Sequence, residues 1–267
     1  MKILMIHPHD IFSANEPWTI RIISLAREFK DKGHEVKLAY TPLNINEPKR
    51  SFELDEIELL TLSRKVGLNN LFANIRKIEK ASRWADVIHL QKCFHYIAIP
   101  ALISSLFLQK PLHYEWDDWE EKIWYHSNRE SLHTMIFGNF IKLLERFIPV
   151  LADTVSVSSL KLEELCISFG VKRERIFEAP VGADLNKFNP RISGEGIRKK
   201  YHFENRRMVL YVGQLHAGQY VKMFIEAANV ILHKHRDVIF LIVGKGYMID
   251  QLRDFVRRKG VENNVIF

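Results

Sequence analysis

The stretch Leu210-Tyr-Val-Gly-Gln-Leu-His-Ala-Gly-Gln-Tyr220 reads as a buried strand that breaks at Gly213 and feeds an amphipathic helix. After the break, apolar residues recur at helical spacing. Phe224, Ile225, Ala228 and Leu232 share one face, with Lys222, Glu226 and His233 turned outward. A parallel strand that ends in a glycine loop at a helix N-terminus offers backbone N–H groups, and the positive end of the helix dipole, to an anion. A second copy follows at Val238 to Val243 and Gly244-Lys245-Gly246. The expectation is an anion-binding crevice faced by Gly213, Gln214, Gln219, Gly244, Lys245 and Gly246; the plain alternative is a pair of glycine turns with no ligand.

Outward from this point the chain alternates strand and helix signals, which argues for parallel sheets in α/β layers. Ile3–Ile6, Val36–Tyr40, Glu58–Leu62, Asp86–Leu90, Leu112–Trp116, Thr154–Val157 and Arg175–Ala179 read as strands. The first helix carries Ile22, Ile23, Ala26 and Phe29 on one face and stops at Gly33, a residue suited to a left-handed cap. Leu71–Ala81 has helical spacing, and the apolar run Cys93–Leu108 reads as a buried helix, broken or started near Pro100. Residues 186–206 mix Pro, Gly and basic residues without periodicity and read as a linker. The fold class is α/β with two Rossmann-like doubly wound domains: 1–185, then the linker, then 207–267. The second is incomplete, since three strands and two helices are about half of such a domain.

Composition narrows the field. In 267 residues, 47% are hydrophobic, enough for sizeable cores and against disorder. Cys93 and Cys166 sit among apolar neighbours and read as reduced thiols of a cytoplasmic protein. The N-terminus turns polar at His7 too soon for a signal peptide, and the Cys93–Leu108 run falls short of a bilayer span. A formal charge of +7, with basic clusters at 191–207 and 253–259, favours anionic partners, either a nucleotide or the inner membrane face. No nucleic-acid signature accompanies it.

A family becomes recognisable on several of these residues together. Gly33-His-Glu-Val36, Asp86-Val-Ile-His89 and Ala152-Asp-Thr-Val-Ser-Val-Ser158 resemble the first domain of family 4 glycosyltransferases, which have the two-domain GT-B fold. Arg175-Ile, Pro180-Val-Gly-Ala-Asp184 with Phe188 and Pro190, Tyr211-Val-Gly-Gln-Leu215 and Ile225-Glu-Ala-Ala228 are similar to that family's interdomain stretch and donor-domain opening. The resemblance implies retaining transfer of a sugar from a nucleotide-sugar donor to a glycan, lipid-linked or small-molecule acceptor, with no metal and no cofactor. Gln214 and Gln219 stand where the family usually has Arg and Lys, and Asn15-Glu-Pro-Trp18 replaces its twin-glycine loop. The family's Glu, seven residues, Glu signature would fall beyond Phe267. The chain is therefore expected to be a truncated or split form, weakly active or inactive alone, with a companion chain as a possible partner.

For the chemistry, the run Tyr114-Glu-Trp-Asp-Asp-Trp119 at a strand's carboxyl end supplies the acid. Family members place His or Arg, often followed by Asp, at the positions of Asp117 and Asp118. Asp118 is expected to orient or deprotonate an acceptor hydroxyl, with Trp116 or Trp119 stacked on a sugar face. Asn15, Glu16 and Trp18 are assigned to the acceptor side. The alternatives are an N-cap acid with core tryptophans, and a Glu16-Pro17 helix start. A competing class uses His7 and His9, which share a strand face, as zinc ligands of a metal-dependent hydrolase, with His89 and Asp118 as further ligands.

Overall fold

The computed structural model describes residues 1–13, 18–43, 57–128, 130–216 and 220–267. Asn15, Glu16 and Gln219, all assigned to the site from sequence, lie outside them. The chain divides into two compact units, Met1–Gly182 and Ala183–Phe267.

In the first unit the strands are β1 (Lys2–Ile6), β2 (Glu35–Tyr40), β3 (Glu58–Thr61), β4 (Val87–Gln91), β5 (Leu112–Trp116), β6 (Thr154–Val157) and β7 (Ile176–Glu178). They form one parallel sheet in the order β3-β2-β1-β4-β5-β6-β7. Order reverses between β1 and β4, the point at which a doubly wound sheet opens a crevice at its carboxyl ends. The helices are α1 (Trp18–Asp31), α2 (Leu68–Trp84), α3 (His95–Leu108), α4 (Glu120–Ser127), α5 (Leu132–Leu151) and α6 (Leu160–Ser168). α1 packs Ile22 and Ala26 against Ile3, Met5 and Leu38 in one core; a larger core holds Leu4, Ile6, Leu90, Tyr114 and Val157. Gly33 takes φ +82°, the left-handed conformation that ends the segment after α1.

Pro100 neither breaks nor starts α3; it lies inside the helix and is buried. A proline has no N–H for the carbonyl four residues back, here Tyr96, and Asn74 Nδ2 donates to that carbonyl at 2.8 Å. The buried amide of α2 thus replaces the missing helical bond.

The second unit has β8 (Arg207–Val212), β9 (Val238–Val243) and β10 (Val265–Ile266), parallel in the order β10-β9-β8. Its helices are α7 (Glu195–Tyr201), within the segment read as a linker, α8 (Val221–Leu232) and α9 (Ile249–Lys259). α8 and α9 cover one sheet face with Ile225, Ala228, Leu252 and Val256 over Phe240 and Ile242. β8 is not the buried strand its sequence suggests. Leu210 is 53% and Val212 70% exposed, because β8 is an edge strand and these residues point away from the helix-covered face.

Candidate functional site

The carboxyl ends of β4 and β5 carry an ion cluster centred on Lys92. This lysine follows β4 with φ +66°, a conformation disfavoured for a residue with a Cβ, and is only 2% exposed. Its Nζ lies 3.1 Å from Asp117 Oδ1, 2.7 Å from Asp118 Oδ2 and 2.5 Å from Glu120 Oε1, and 4.9 Å from the centre of the Trp18 ring. Burial alone would lower the lysine's pKa, but the three carboxylates outweigh it and push the value up. Burial raises Asp117 and Glu120, with Lys92 opposing. Asp118 is the member that reaches solvent, with a side chain 40% exposed.

A second layer fixes this cluster to the sheet. Gln91, ending β4, donates to Asp117 Oδ2 at 3.4 Å and accepts at 2.6 Å from Nδ1 of His7, just past β1. Glu115 on β5 is bound by His89 Nε2 at 2.8 Å and by the Arg21 guanidinium, which also reaches the carbonyls of Ala179 (2.9 Å) and Pro180 (3.1 Å). Against the opposing effect of burial, His89 and Arg21 hold Glu115 down to about 2. Behind them Glu145 accepts from Trp116 Nε1 at 2.9 Å and from the amides of Glu120 and Glu121 at 2.6 and 3.0 Å.

The structure therefore joins Trp18, Asp117 and Asp118 through Lys92 and places Trp119, half-buried, as the residue that precedes α4. Trp116 cannot stack on a sugar, as it is 1% exposed and its indole N–H is bound to Glu145. Lys92, Gln91 and Glu120 were missed from sequence. Their signal is slight: a polar pair interrupting the apolar run from Val87 to Phe94, and an acid one residue beyond an acidic-aromatic run.

His7 and His9 do not form a metal centre with their surroundings. Burial pushes His7 down to about 4 and His9 to about 2, the Arg64 guanidinium beside His9 acting in the same direction. Arg64 donates to Nδ1 of His9, and His7 is held by Gln91. Among the described residues the one group of three potential ligands is Asp117, Asp118 and Glu120, and the Lys92 ammonium bonds to all three.

In the second unit the two glycine loops are zipped together. Gly213 N–H donates to the Val243 carbonyl at 3.1 Å, Leu215 N–H to the Lys245 carbonyl at 2.8 Å, and Met248 N–H to the Leu215 carbonyl at 3.2 Å. The Gly213 and Leu215 amides are thus engaged within the protein, and neither is open to a ligand. The glycines have a steric role: a Cβ at Gly244 would sit 1.9 Å from the Gly213 carbonyl oxygen, and one at Gly246 2.2 Å from that of Leu215. Gln214 and Lys245 remain exposed. The zipper leads to the N-terminus of α8, where His216, Tyr220, Val221, Lys222, Met223, Met248 and Leu252 line a 260 Å³ cleft. No acid occupies the first turn of α8, among the described residues no side chain caps it, and His216 stacks on Tyr247 at 5.2 Å. Such a terminus suits an anion.

The first unit is a doubly wound parallel sheet and the second a three-stranded parallel sheet with α8 and α9 on one face, which makes this a two-unit α/β protein with the GT-B fold. Residues 194–267 match the family described as glycosyl transferases group 1, so the resemblance to glycosyltransferases holds for most of the second unit. An alpha-D-kanosaminyltransferase of Streptomyces kanamyceticus is 33% identical over 69 residues, 26% of this chain and 18% of that one. A mannosylfructose-phosphate synthase of Agrobacterium fabrum is 27% identical over 123 residues, 42% of this chain and 27% of that one. The chain thus spans less than a third of either relative. Among solved structures, Anabaena HepE in complex with UDP matches with a TM-score of 0.71 at 18% identity, covering 100% of this chain and 68% of that one. HepE is also known in complex with UDP-glucose. No helix among the described residues is long and apolar enough to cross a membrane.

Proposed function

We propose that the protein transfers a sugar from a nucleotide-sugar donor to a glycan, lipid-linked or small-molecule acceptor. The observation that carries this reading is the glycine zipper of β8 and β9, which sets the acid-free first turn of α8 beside an open cleft, within the stretch that matches group 1 glycosyl transferases. HepE, of like fold, binds UDP and UDP-glucose, which supports a diphosphonucleoside sugar as the ligand class.

In this reading the donor diphosphate lies against the first turn of α8, with Lys222, His216 and Gln214 as its nearest polar side chains. The acceptor side belongs to the first unit. Asp118, anchored from behind by Lys92, receives the proton of the acceptor hydroxyl as its oxygen bonds to the anomeric carbon. The bond from that carbon to the diphosphate oxygen breaks, and the electron pair leaves with the phosphate. Trp18 and Trp119 supply apolar surface for a sugar ring. The retention that the family resemblance implies requires the acceptor oxygen to attack the face of the anomeric carbon that the diphosphate leaves, and the chain's own cations and helix dipole meet the phosphate charge in this scheme.

Calorimetry with UDP, UDP-glucose and a panel of other nucleotide sugars tests the donor half. Saturable binding by at least one is expected, and silence across the panel would remove the proposal. For the acceptor half, Asp118→Ala should abolish transfer while leaving donor affinity within about twofold. Unchanged turnover would take Asp118 out of the mechanism.

A further inference from the structure

The α5 helix presents an apolar stripe to solvent. Over its 20 residues, about 30 Å, the side bearing Thr134, Gly138, Ile141, Glu145 and Ile148 is buried. Gly138 lets the Tyr125 ring of α4 lie against the helix, since a Cβ there would come within 2.3 Å of that ring. On the opposite side Leu132, Ile136, Phe140, Leu143, Phe147 and Leu151 recur every three or four residues, and all six are exposed. At 3.6 residues per turn they form a single stripe about 100° wide, the breadth that normally faces a core.

Charge selects what covers it. The helix has one acid, Glu145, and that residue is buried and bound to Trp116 and two amides. Its cations, Lys142 and Arg146, are exposed one turn apart on one flank of the stripe. Lys142 has Glu121 at 3.6 Å, and Arg146 lies over the Phe169 ring at 6.0 Å. A second copy meeting this face about a two-fold axis would set a cation-flanked stripe, with no exposed acid of its own helix, against itself. An anionic bilayer surface instead receives the apolar stripe at the acyl boundary and pairs the cations with headgroups. We propose that the outer stripe of α5 docks this protein on the surface of an anionic membrane, the helix lying along it. Its residues are other than those of the basic clusters at 191–207 and 253–259, and its role does not rest on sugar transfer.

Co-sedimentation of the full chain with phosphatidylglycerol vesicles, with phosphatidylcholine vesicles as control, tests the proposal. The chain should sediment with the anionic vesicles roughly tenfold more strongly than with the neutral ones. The double variant Leu143→Asn, Phe147→Asn should lose roughly tenfold or more of that binding with an unchanged circular dichroism spectrum, because both side chains are exposed. Lys142→Gln with Arg146→Gln should reduce the anionic preference several-fold, the rest coming from the chain's other basic clusters. No sedimentation of the parent chain, or parent-like sedimentation of the asparagine variant, would overturn the proposal. So would a concentration-dependent dimer that this variant abolishes, which would assign the stripe to a second copy.

Discussion

Lys92 Nζ lies 2.7 Å from Asp118 Oδ2, joining a fully buried cation to a carboxylate that reaches solvent. The lysine also serves Asp117 and Glu120, whose side chains are largely buried. Lys92→Met would leave those acids without a counter-charge, and breaking a buried ion pair from one side costs about 3–5 kcal/mol. The raised pKa of Lys92 keeps its contribution constant below the ordinary lysine value, so the parent cluster holds through neutral pH. In the variant the orphaned acids would titrate further above their unfolded values and lose stability as pH rises through that window. Urea unfolding should therefore show a deficit that shrinks from pH 8 to pH 5; a deficit independent of pH would mean Lys92 acts through packing alone.

Glu145 gives a separate pH signature. Burial pushes it up to about 7, against three N–H donors that favour its charged form. A carboxyl raised in the folded state binds more protons there than in the unfolded chain, so stability falls as pH rises from about 4.5 to 7. A shift of that size is worth at most about 3 kcal/mol. His7 and His113, lowered by burial to about 4 and about 3, act in the opposite sense up to about 6.5, so the clean readout is a difference. Glu145→Gln should lose about 1 kcal/mol at low pH for the N–H left facing an amide, then gain on the parent as pH rises to 7. A constant difference across that range would show that Glu145 stays ionised.

The strands were legible because parallel strands buried on both faces leave short apolar runs between turn residues, and the runs read as ending at Ile6, Tyr40, Leu90 and Trp116 each lie in a β-strand. Gly33 and the face of α8 were legible for the same local reasons. The reading failed where distant residues intervene. Pro100 stays helical because Asn74, far off in sequence, satisfies the carbonyl it orphans. Leu210 and Val212 look buried until their strand proves to be an edge. At the candidate site the acidic run at Asp117 was visible, but Lys92 was not: that a lysine turns inward after β4 depends on where β5 places its carboxylates, which no local pattern records.

The glycine zipper yields a stability prediction in the second unit. Gly244→Ala and Gly246→Ala would drive a methyl into backbone carbonyls at 1.9 and 2.2 Å, and neither strand end can yield without breaking the Leu215 to Lys245 bond. Overpacking of this kind typically costs about 1–3 kcal/mol. Gly182→Ala, with open space around it, is the control and should change melting little. Thermal melts that rank Gly246→Ala with Gly182→Ala would show that the loops part easily.

Gln214 tests where a diphosphate would lie. Its side chain is exposed just past β8, and its carbonyl accepts from the Tyr211 hydroxyl at 3.1 Å, which fixes the backbone while leaving the amide end free to be exchanged. Gln214→Arg places a guanidinium there, and a charge-assisted contact is about twice as strong as a neutral one. If the donor phosphates rest against the start of α8, UDP affinity by calorimetry should rise roughly three- to tenfold, and the gain should diminish with added salt as the new contact is screened. Unchanged affinity would place the diphosphate away from residue 214. A gain insensitive to salt would mean the arginine stacks on the base rather than meeting the phosphates, because stacking survives screening and an exposed ion contact does not.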